Sequence, residues 1–298
     1  MTTYKDIWYT SEDGLRLYAR DYSTALDKNP NAKTILCMHG LTRNSADFED
    51  ICNELADDYR LIVVDQRGRG LSDYDPDPSN YNPLVYVQDM FQLLAKLKLS
   101  SVILFGTSMG GIMAMMMAAM KPDMINAMII NDVGPEIAEK GLNRLKKYVG
   151  KSAPVTNWDE ALKRTAEING VAFPDATEDD WFKFAKRLYR EDDSGRPVLL
   201  YDPNIAILLA ATDEDQSDAT KSAAPDLWPV YEQILDKPML LIRGELSDII
   251  DIECVQRMQQ MKPDLEVLEI LNVGHAPLLS EVEVAPAILD FLGDKLLK

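Results

Sequence analysis

Residues 102–112 read VILFGTSMGGI, an apolar run followed by a Gly-x-Ser-x-Gly motif and a helix-like segment. A motif of this kind between a strand and a helix forms a sharp turn that holds the serine hydroxyl clear of the sheet. The serine backbone is strained in such a turn, so Gly106 and Gly110 must be small for strand and helix to approach closely. Such motifs also arise by chance in loops, but the flanking strand and helix predict that Ser108 is a nucleophile.

A serine nucleophile needs a general base, and the chain has only two histidines. His39 follows the apolar run at 35–38 and precedes Gly40, so we expect its ring to hold a loop in place. His275 lies in a short loop after the predicted strand at 266–270, from which an imidazole can reach the turn at Ser108. We therefore predict that His275 is the base.

The base needs a carboxylate that fixes its tautomer and stabilises the imidazolium. Asp248 follows the predicted strand at 239–242 and precedes His275, which gives the chain order Ser, Asp, His expected with this type of turn. Asp132, directly after the strand nearest Ser108, is the alternative acid, and Glu245 is a third candidate. Chain order favours Asp248.

A tetrahedral intermediate needs two N–H donors directed at its oxyanion. The backbone amide of Met109, directly after the nucleophile, is the first predicted donor. The second is the backbone amide of Leu41, in the loop that follows His39 and Gly40.

Composition limits the partners of the chain. Its 298 residues include 31 basic and 49 acidic residues, and the net charge of −18 repels nucleic acids and anionic membranes. The three cysteines are scattered without the paired spacing of a disulfide framework or a zinc site. The N-terminus lacks the layout of a signal peptide, and no apolar run is long enough to span a membrane. We expect a cytoplasmic enzyme with a small-molecule substrate and no cofactor or metal; self-association is left open.

The order of apolar and helix-like segments predicts an α/β protein. An N-terminal hairpin is followed by short apolar runs that alternate with helix-like segments, the pattern of a mostly parallel sheet with helices on both faces. The alternation stops at 134–236, which reads as helices separated by prolines. We interpret 134–236 as a helical cap inserted into a core domain of 1–133 and 237–298. The alternative is a second independent domain.

These motifs together resemble the α/β-hydrolase fold superfamily over nearly the whole chain. The resemblance rests on the HGL motif at 39–41, DQRGRGLS at 65–72, GTSMGG at 106–111, NDVGP at 131–135 and RGELSD at 243–248. The NDVGP and RGELSD motifs are similar to those of serine-dependent bacterial esterase-like members and of relatives that cleave meta-cleavage products. The resemblance implies Ser108 as nucleophile, His275 as base, Asp248 as acid, and Leu41 and Met109 as oxyanion donors.

The resemblance also orders the candidate functions. The first is a serine hydrolase, a carboxylesterase that cleaves small esters through an acyl-enzyme. Carbon–carbon bond cleavage of meta-cleavage products is an alternative, although such anionic substrates need an arginine in the pocket and the sequence offers no clearly placed one. A lactonase cannot be separated from the esterase, and a non-catalytic ligand-binding homologue is a third class. Aromatic residues of the insert fit either a substrate pocket or the insert's own core.

Overall fold

The structure, a computed structural model, describes residues 2–210 and 226–296. Its strands alternate with helices along most of the chain, as the pattern of apolar runs predicts. The strands are β1 (Lys5–Thr10), β2 (Arg16–Tyr22), β3 (Thr34–Met38), β4 (Arg60–Asp65), β5 (Val102–Thr107), β6 (Ile125–Asn131), β7 (Tyr189–Glu191), β8 (Pro197–Leu199), β9 (Met239–Gly244) and β10 (Glu266–Ile270).

The helices pack on both faces of the sheet and in the region between β6 and β9. They are α1 (Thr24–Lys28), α2 (Glu49–Leu55), α3 (Pro83–Lys96), α4 (Met109–Met120), α5 (Glu139–Tyr148), α6 (Trp158–Asn169), α7 (Glu178–Leu188), α8 (Ile207–Ala210), α9 (Trp228–Glu232), α10 (Ile252–Met261) and α11 (Val284–Leu296).

Over the described residues, eight strands form one sheet in the order β1-β2-β4-β3-β5-β6-β9-β10. The first two form the expected antiparallel hairpin, β2 is antiparallel to β4, and the remaining pairs are parallel. The predicted mostly parallel sheet is confirmed. Because parallel strands end at a common edge, the segments after β3, β5, β6 and β9 lie side by side.

Two apolar cores cover the two faces of this sheet. Leu36 and Met38 of β3 point into one core, while Ile35 and Cys37 point into the other. Strands that are buried on both faces have continuous apolar sequences, and for this reason the sequence predicts β3 and β5. The buried methionines of α4, which are Met109, Met113, Met115 and Met117, belong to the first core and pack between that helix and the sheet.

The region between β6 and β9 contains helices α5 to α9 and a small antiparallel hairpin, β7–β8. Residues 211–225 of the predicted insert lie outside the described residues. The division into a core domain and a cap at 134–236 stays a prediction.

Among the helices of the described ranges, none combines the length and the apolar character needed to cross a lipid bilayer.

Candidate active site

The turn at Ser108 has the strained geometry that its sequence predicts. Ser108 lies between β5 and α4 with φ of 53° and ψ of −116°, a backbone conformation that side chains rarely adopt. A Cβ atom at Gly106 would lie 2.1 Å from the carbonyl oxygen of Gly110, and one at Gly110 would lie 2.0 Å from that of Met38. Only glycine fits at both positions, so the close approach of strand and helix depends on them.

His275 lies directly against Ser108. Its Nε2 is 2.9 Å from Ser108 Oγ, across 167 residues of sequence. Asn131 holds the loop that carries His275 in place. Its buried side-chain amide donates hydrogen bonds to the carbonyl oxygen of Pro277 at 2.9 Å and to Thr107 Oγ1 at 3.2 Å. A short nucleophile–base contact of this kind is the geometry needed for proton transfer from the serine.

The other ring nitrogen of His275 contacts Asp132. His275 Nδ1 lies 2.7 Å from Asp132 Oδ2, and the Asp132 side chain is fully buried at the end of β6. Asp132 also accepts a hydrogen bond from the Gly244 amide at 2.8 Å on Oδ1, and one from the Ser247 hydroxyl at 2.7 Å on Oδ2. Three donors thus fix the carboxylate, which in turn orients the imidazole towards Ser108.

The position of Asp248 corrects the expectation based on chain order. Asp248 makes a two-pronged ion pair with Arg144 of α5, at 2.7 and 2.8 Å, and does not hydrogen bond with His275. Burial alone would raise the pKa of Asp248, but hydrogen bonds from Arg144 hold that pKa below its ordinary value, with a smaller contribution from nearby His275. Glu245, the third candidate, accepts a hydrogen bond from the backbone amide of Asn272 at 2.8 Å instead.

The physical reason is the order of the strands. Strand β6 lies next to β5, and Thr107 pairs in register with Asn131, so Asp132 follows its strand beside Ser108. Strand β9 is one position further from β5, and Asp248 comes four residues after its end. Adjacency in the sheet therefore places Asp132, and not Asp248, against His275.

His39 has a structural environment. It is fully buried, its Nδ1 lies 2.7 Å from the Gly40 carbonyl oxygen, and its Nε2 accepts a hydrogen bond from the Gln66 amide at 3.1 Å. Burial lowers the pKa of His39 to about 3, so its ring is neutral near pH 7. His39 therefore holds the loop before Leu41 in shape, as its sequence context predicts.

The two expected oxyanion donors belong to residues near Ser108, one next in sequence and one in the wall of the same cavity. Met109 is the first residue of α4, where a helix has no internal acceptor for the amide hydrogen. Leu41 lies on the rim of the same cavity as Ser108, and its carbonyl oxygen accepts a hydrogen bond from Arg69 at 2.9 Å. Among the described residues, neither backbone amide donates a hydrogen bond to another protein group, which leaves both available to a ligand.

Ser108 and His275 open into a cavity of about 110 Å³. Leu145, Ile168, Phe173 and Phe184 contribute apolar walls from the region between β6 and β9. The aromatic residues of that region divide between the two expected roles. Phe173, Phe184 and Tyr189 line the cavity, whereas Trp158 packs against Phe182 with ring centroids 6.4 Å apart.

Sequence reasoning missed three polar groups of this site. Ser247 supports Asp132, and two arginines, Arg43 and Arg187, form part of the cavity wall. Ser247 precedes Asp248 in the RGELSD motif at 243–248, but no local pattern shows which carboxylate its hydroxyl contacts. The arginines come from separate parts of the chain, so only the fold brings them together.

Comparison with known proteins agrees with this architecture. Residues 33–282 match the family described as having the alpha/beta hydrolase fold, and the chain therefore belongs to that family. The chain is 31% identical over 262 residues to a 3-hydroxybutyrate-oligomer hydrolase of Cupriavidus necator, covering 86% of this chain and 88% of that protein. It is 28% identical over 242 residues to a 2-(acetamidomethylene)succinate hydrolase of Mesorhizobium japonicum, covering 81% of each.

Solved structures give the same result. An alpha/beta hydrolase from Novosphingobium aromaticivorans superimposes with a TM-score of 0.88 at 38% identity, covering 98% of this chain and 99% of the other. The structure of an E-2-(acetamidomethylene)succinate hydrolase superimposes with a TM-score of 0.80 at 25% identity, covering 97% and 99%. The family and the named relatives identify the chain as a hydrolase.

Proposed function

We propose that this protein is a serine hydrolase that cleaves small carboxylic esters through an acyl-enzyme. The observation that carries the proposal is the continuous contact of Ser108 Oγ, His275 and Asp132, at 2.9 and 2.7 Å. Ser108 is the nucleophile, His275 the base, and Asp132 takes the role of acid that chain order assigned to Asp248. The same arrangement of side chains activates serine on several unrelated folds.

The reaction follows from the positions of these atoms. Ser108 Oγ attacks the ester carbonyl carbon while His275 Nε2 takes its proton, and the oxyanion accepts hydrogen bonds from the amides of Leu41 and Met109. The intermediate collapses to an acyl-enzyme as His275 returns the proton to the leaving alcohol. A water molecule then attacks the acyl carbon with His275 again as base, and the carboxylic acid leaves as Ser108 recovers its proton.

The cavity and the relatives support a small ester as the substrate. Its apolar walls and limited volume suit a short acyl or alcohol group. The 3-hydroxybutyrate-oligomer hydrolase is named for a substrate joined by ester bonds, and the other relative is named for a succinate derivative. Both substrates bear carboxyl groups. A cofactor-free cytoplasmic enzyme stays part of the proposal, and the three unpaired cysteines support a reducing compartment.

Turnover of short p-nitrophenyl esters tests the proposal directly. We expect release of nitrophenol by the wild type and a loss of at least about 10³-fold in kcat for Ser108→Ala and for His275→Ala, because the nucleophile and base act as one unit. A fluorophosphonate probe should label Ser108 in the wild type and should fail to label His275→Ala. Equal nitrophenol release by wild type and Ser108→Ala would reject the proposal.

Carbon–carbon cleavage and lactone hydrolysis use the same nucleophile, so a substrate panel separates them. Wild type is assayed with simple esters, lactones and dienoic ring-fission products, beside Ser108→Ala. We expect the highest kcat/KM on simple esters. A higher kcat/KM on ring-fission products or lactones would transfer the proposal to that reaction.

A further inference from the structure

Two arginine side chains line the cavity that holds Ser108, in a chain whose net charge is −18. We propose that the substrate ester carries a free carboxylate, and that Arg187, assisted by Arg43, binds it. This inference rests on the proposed ester hydrolysis and names the class of ester.

Arg43 stands close to the nucleophile. A Cβ atom at Gly40 would lie 3.4 Å from Arg43 Cγ and 3.7 Å from Ser108 Cβ, so both side chains flank the same glycine. The guanidinium lies over the ring of Phe184, 4.0 Å from its centroid, and its Nε and Nη2 donate to Asp47 at 2.7 and 2.6 Å. In the described part of the chain Nη1 makes no hydrogen bond. The guanidinium of Arg43 is thus held in place by Asp47 and Phe184, and its Nη1 can donate hydrogen bonds to a ligand.

Arg187 reaches the cavity from the last turn of α7. Its carbonyl oxygen accepts a hydrogen bond from the Asn44 side chain at 2.7 Å, which ties this turn to the segment after Arg43. Its Nη2 donates to Asp50 at 2.6 Å, whereas Nε and Nη1 make no hydrogen bond within the described ranges. Arg187 also lines a second cavity, of about 400 Å³, that shares Phe173 and Phe184 with the first.

The carboxylates of Asp47 and Asp50 neutralise the positive charges of Arg43 and Arg187 to different extents. The Asp47 side chain is 14% exposed, as buried as its partner, whereas the Asp50 side chain is 44% exposed and that of Arg187 only 15%. Water solvates Asp50 and weakens its attraction for the guanidinium. Arg187 therefore keeps more of its positive charge available to a ligand than Arg43 does.

A ligand carboxylate fits these groups better than a neutral oxygen does. A guanidinium presents parallel donors that match a carboxylate, and hydrogen bonds between two charged groups are about twice as strong as neutral ones. The overall negative charge of the chain repels anions at a distance, so a bound anion requires a local positive group. Arg187 and Arg43 are such groups, and they border the cavity of Ser108.

Paired esters that differ only in charge test this inference. For the acyl side, the pair is monomethyl glutarate and methyl glutaramate; for the alcohol side, it is 3-acetoxybutyrate and 3-acetoxybutanamide. Hydrolysis is followed by NMR. We expect the wild type to favour the carboxylate of at least one pair by about tenfold in kcat/KM. The pair that shows the preference identifies the side of the ester that faces Arg187.

Variants assign the preference to the arginines. In Arg187→Gln the ratio of kcat/KM, carboxylate over amide, should fall to about one, in Arg43→Gln it should fall less, and Arg187→Lys should retain part of it. Asp50→Asn should raise the ratio, because it removes the competing carboxylate; a merely structural role of Arg187 predicts no rise. Arg196→Gln is the matched control, since Arg196 lies on the exposed β7–β8 turn and pairs with Asp192.

The outcomes separate the two proposals. Cleavage of acids and amides at equal rates, or a preference that survives in Arg187→Gln, overturns the carboxylate subsite and leaves ester hydrolysis intact. Failure to cleave any of the four esters, together with no turnover of p-nitrophenyl esters, overturns both.

Discussion

Two aspartates lie near His275, and they occupy different chemical environments. Asp132 is buried and receives three hydrogen bonds, one of them with His275, whereas Asp248 is paired with Arg144. Asp132→Asn would present an amide to Nδ1 and favour the tautomer that cannot accept the proton of Ser108. We expect kcat on p-nitrophenyl esters to fall on the order of 10³–10⁴-fold, as in other serine triads.

Asp248→Asn is the matched control for this experiment. It removes the same charge from a neighbouring position without touching the hydrogen bond to His275. We expect its kcat to stay within about tenfold of the wild type, because the tautomer of the base is unchanged. A larger loss in Asp248→Asn than in Asp132→Asn would show that the enzyme works with the aspartate that chain order favours.

His39 makes stability depend on pH. Its pKa of about 3 in the folded protein lies below the ordinary value of 6.5, so the unfolded chain takes up a proton that the folded chain refuses. The contribution of His39 to stability is complete above pH 6.5 and is lost as the pH falls towards 3. Between pH 6.5 and pH 4 we expect the loss to be on the order of 3 kcal/mol.

The measurement is the free energy of unfolding in urea at several pH values, for wild type and His39→Asn. The difference in the free energy of unfolding between the two proteins should shrink as the pH falls, because only the wild type loses the contribution of His39. The carboxylates titrate in both proteins, so their effects cancel in this difference. Parallel curves for the two proteins would contradict the prediction.

At the level of strands and loops, the segment after β4 depends on Arg67. This fully buried guanidinium forms ion pairs with Asp75 and Asp89, whose side chains are 3% exposed, and with the more exposed Asp13. Arg67→Met would leave two buried carboxylates without their cationic partner. We expect the free energy of unfolding to fall by about 3–5 kcal/mol, the usual cost of breaking a buried ion pair on one side.

Urea unfolding of Arg67→Met beside Arg196→Met measures this cost. Arg196 also pairs with an aspartate, but its side chain is 63% exposed, so its replacement should cost less than about 1 kcal/mol. Equal losses in the two variants would mean that the Arg67 cluster does not stabilise this loop.

The strands and the turn at Ser108 could be predicted because local sequence determines them. Buried parallel strands are continuously apolar, and the turn requires Gly106 and Gly110. The partner of His275 could not be read in the same way, because it depends on which strand lies beside β5. The position of Asp132 directly after β6 is the sequence signal for this contact, whereas chain order favours Asp248.

The position of two arginines in the cavity wall could not be predicted from the sequence for a related reason. Arg43 and Arg187 are 144 positions apart and meet only when α7 packs beside the loop after β3. Their acidic partners follow Arg43 closely in the sequence: Asp47 precedes α2 and Asp50 lies in the first turn of that helix. Nothing in the local pattern distinguishes such pairs from exposed ion pairs, which are frequent in a highly charged chain.

At the scale of the whole molecule, an ion pair joins the region between β6 and β9 to the loop that supports Asp132. Arg144 of α5 binds Asp248, and the next residue towards the N-terminus, Ser247, donates to Asp132. Gly141 of the same helix also lies against this loop, where a Cβ atom would come within 2.3 Å of the Asp248 carbonyl oxygen. Helix α5 is thus attached to the core next to the active site.

This attachment predicts a specific kinetic effect. Arg144→Gln loosens α5, which contributes Leu145 and Tyr148 to the cavity wall, while Ser108, His275 and Asp132 keep their contacts. We expect KM on short esters to rise about 3- to 10-fold with a smaller change in kcat, the pattern of lost substrate binding. Arg144→Gln combined with Asp248→Asn should be little worse than either single variant, because both remove the same pair. Additive effects on KM, or a loss confined to kcat, would show that the two residues act separately.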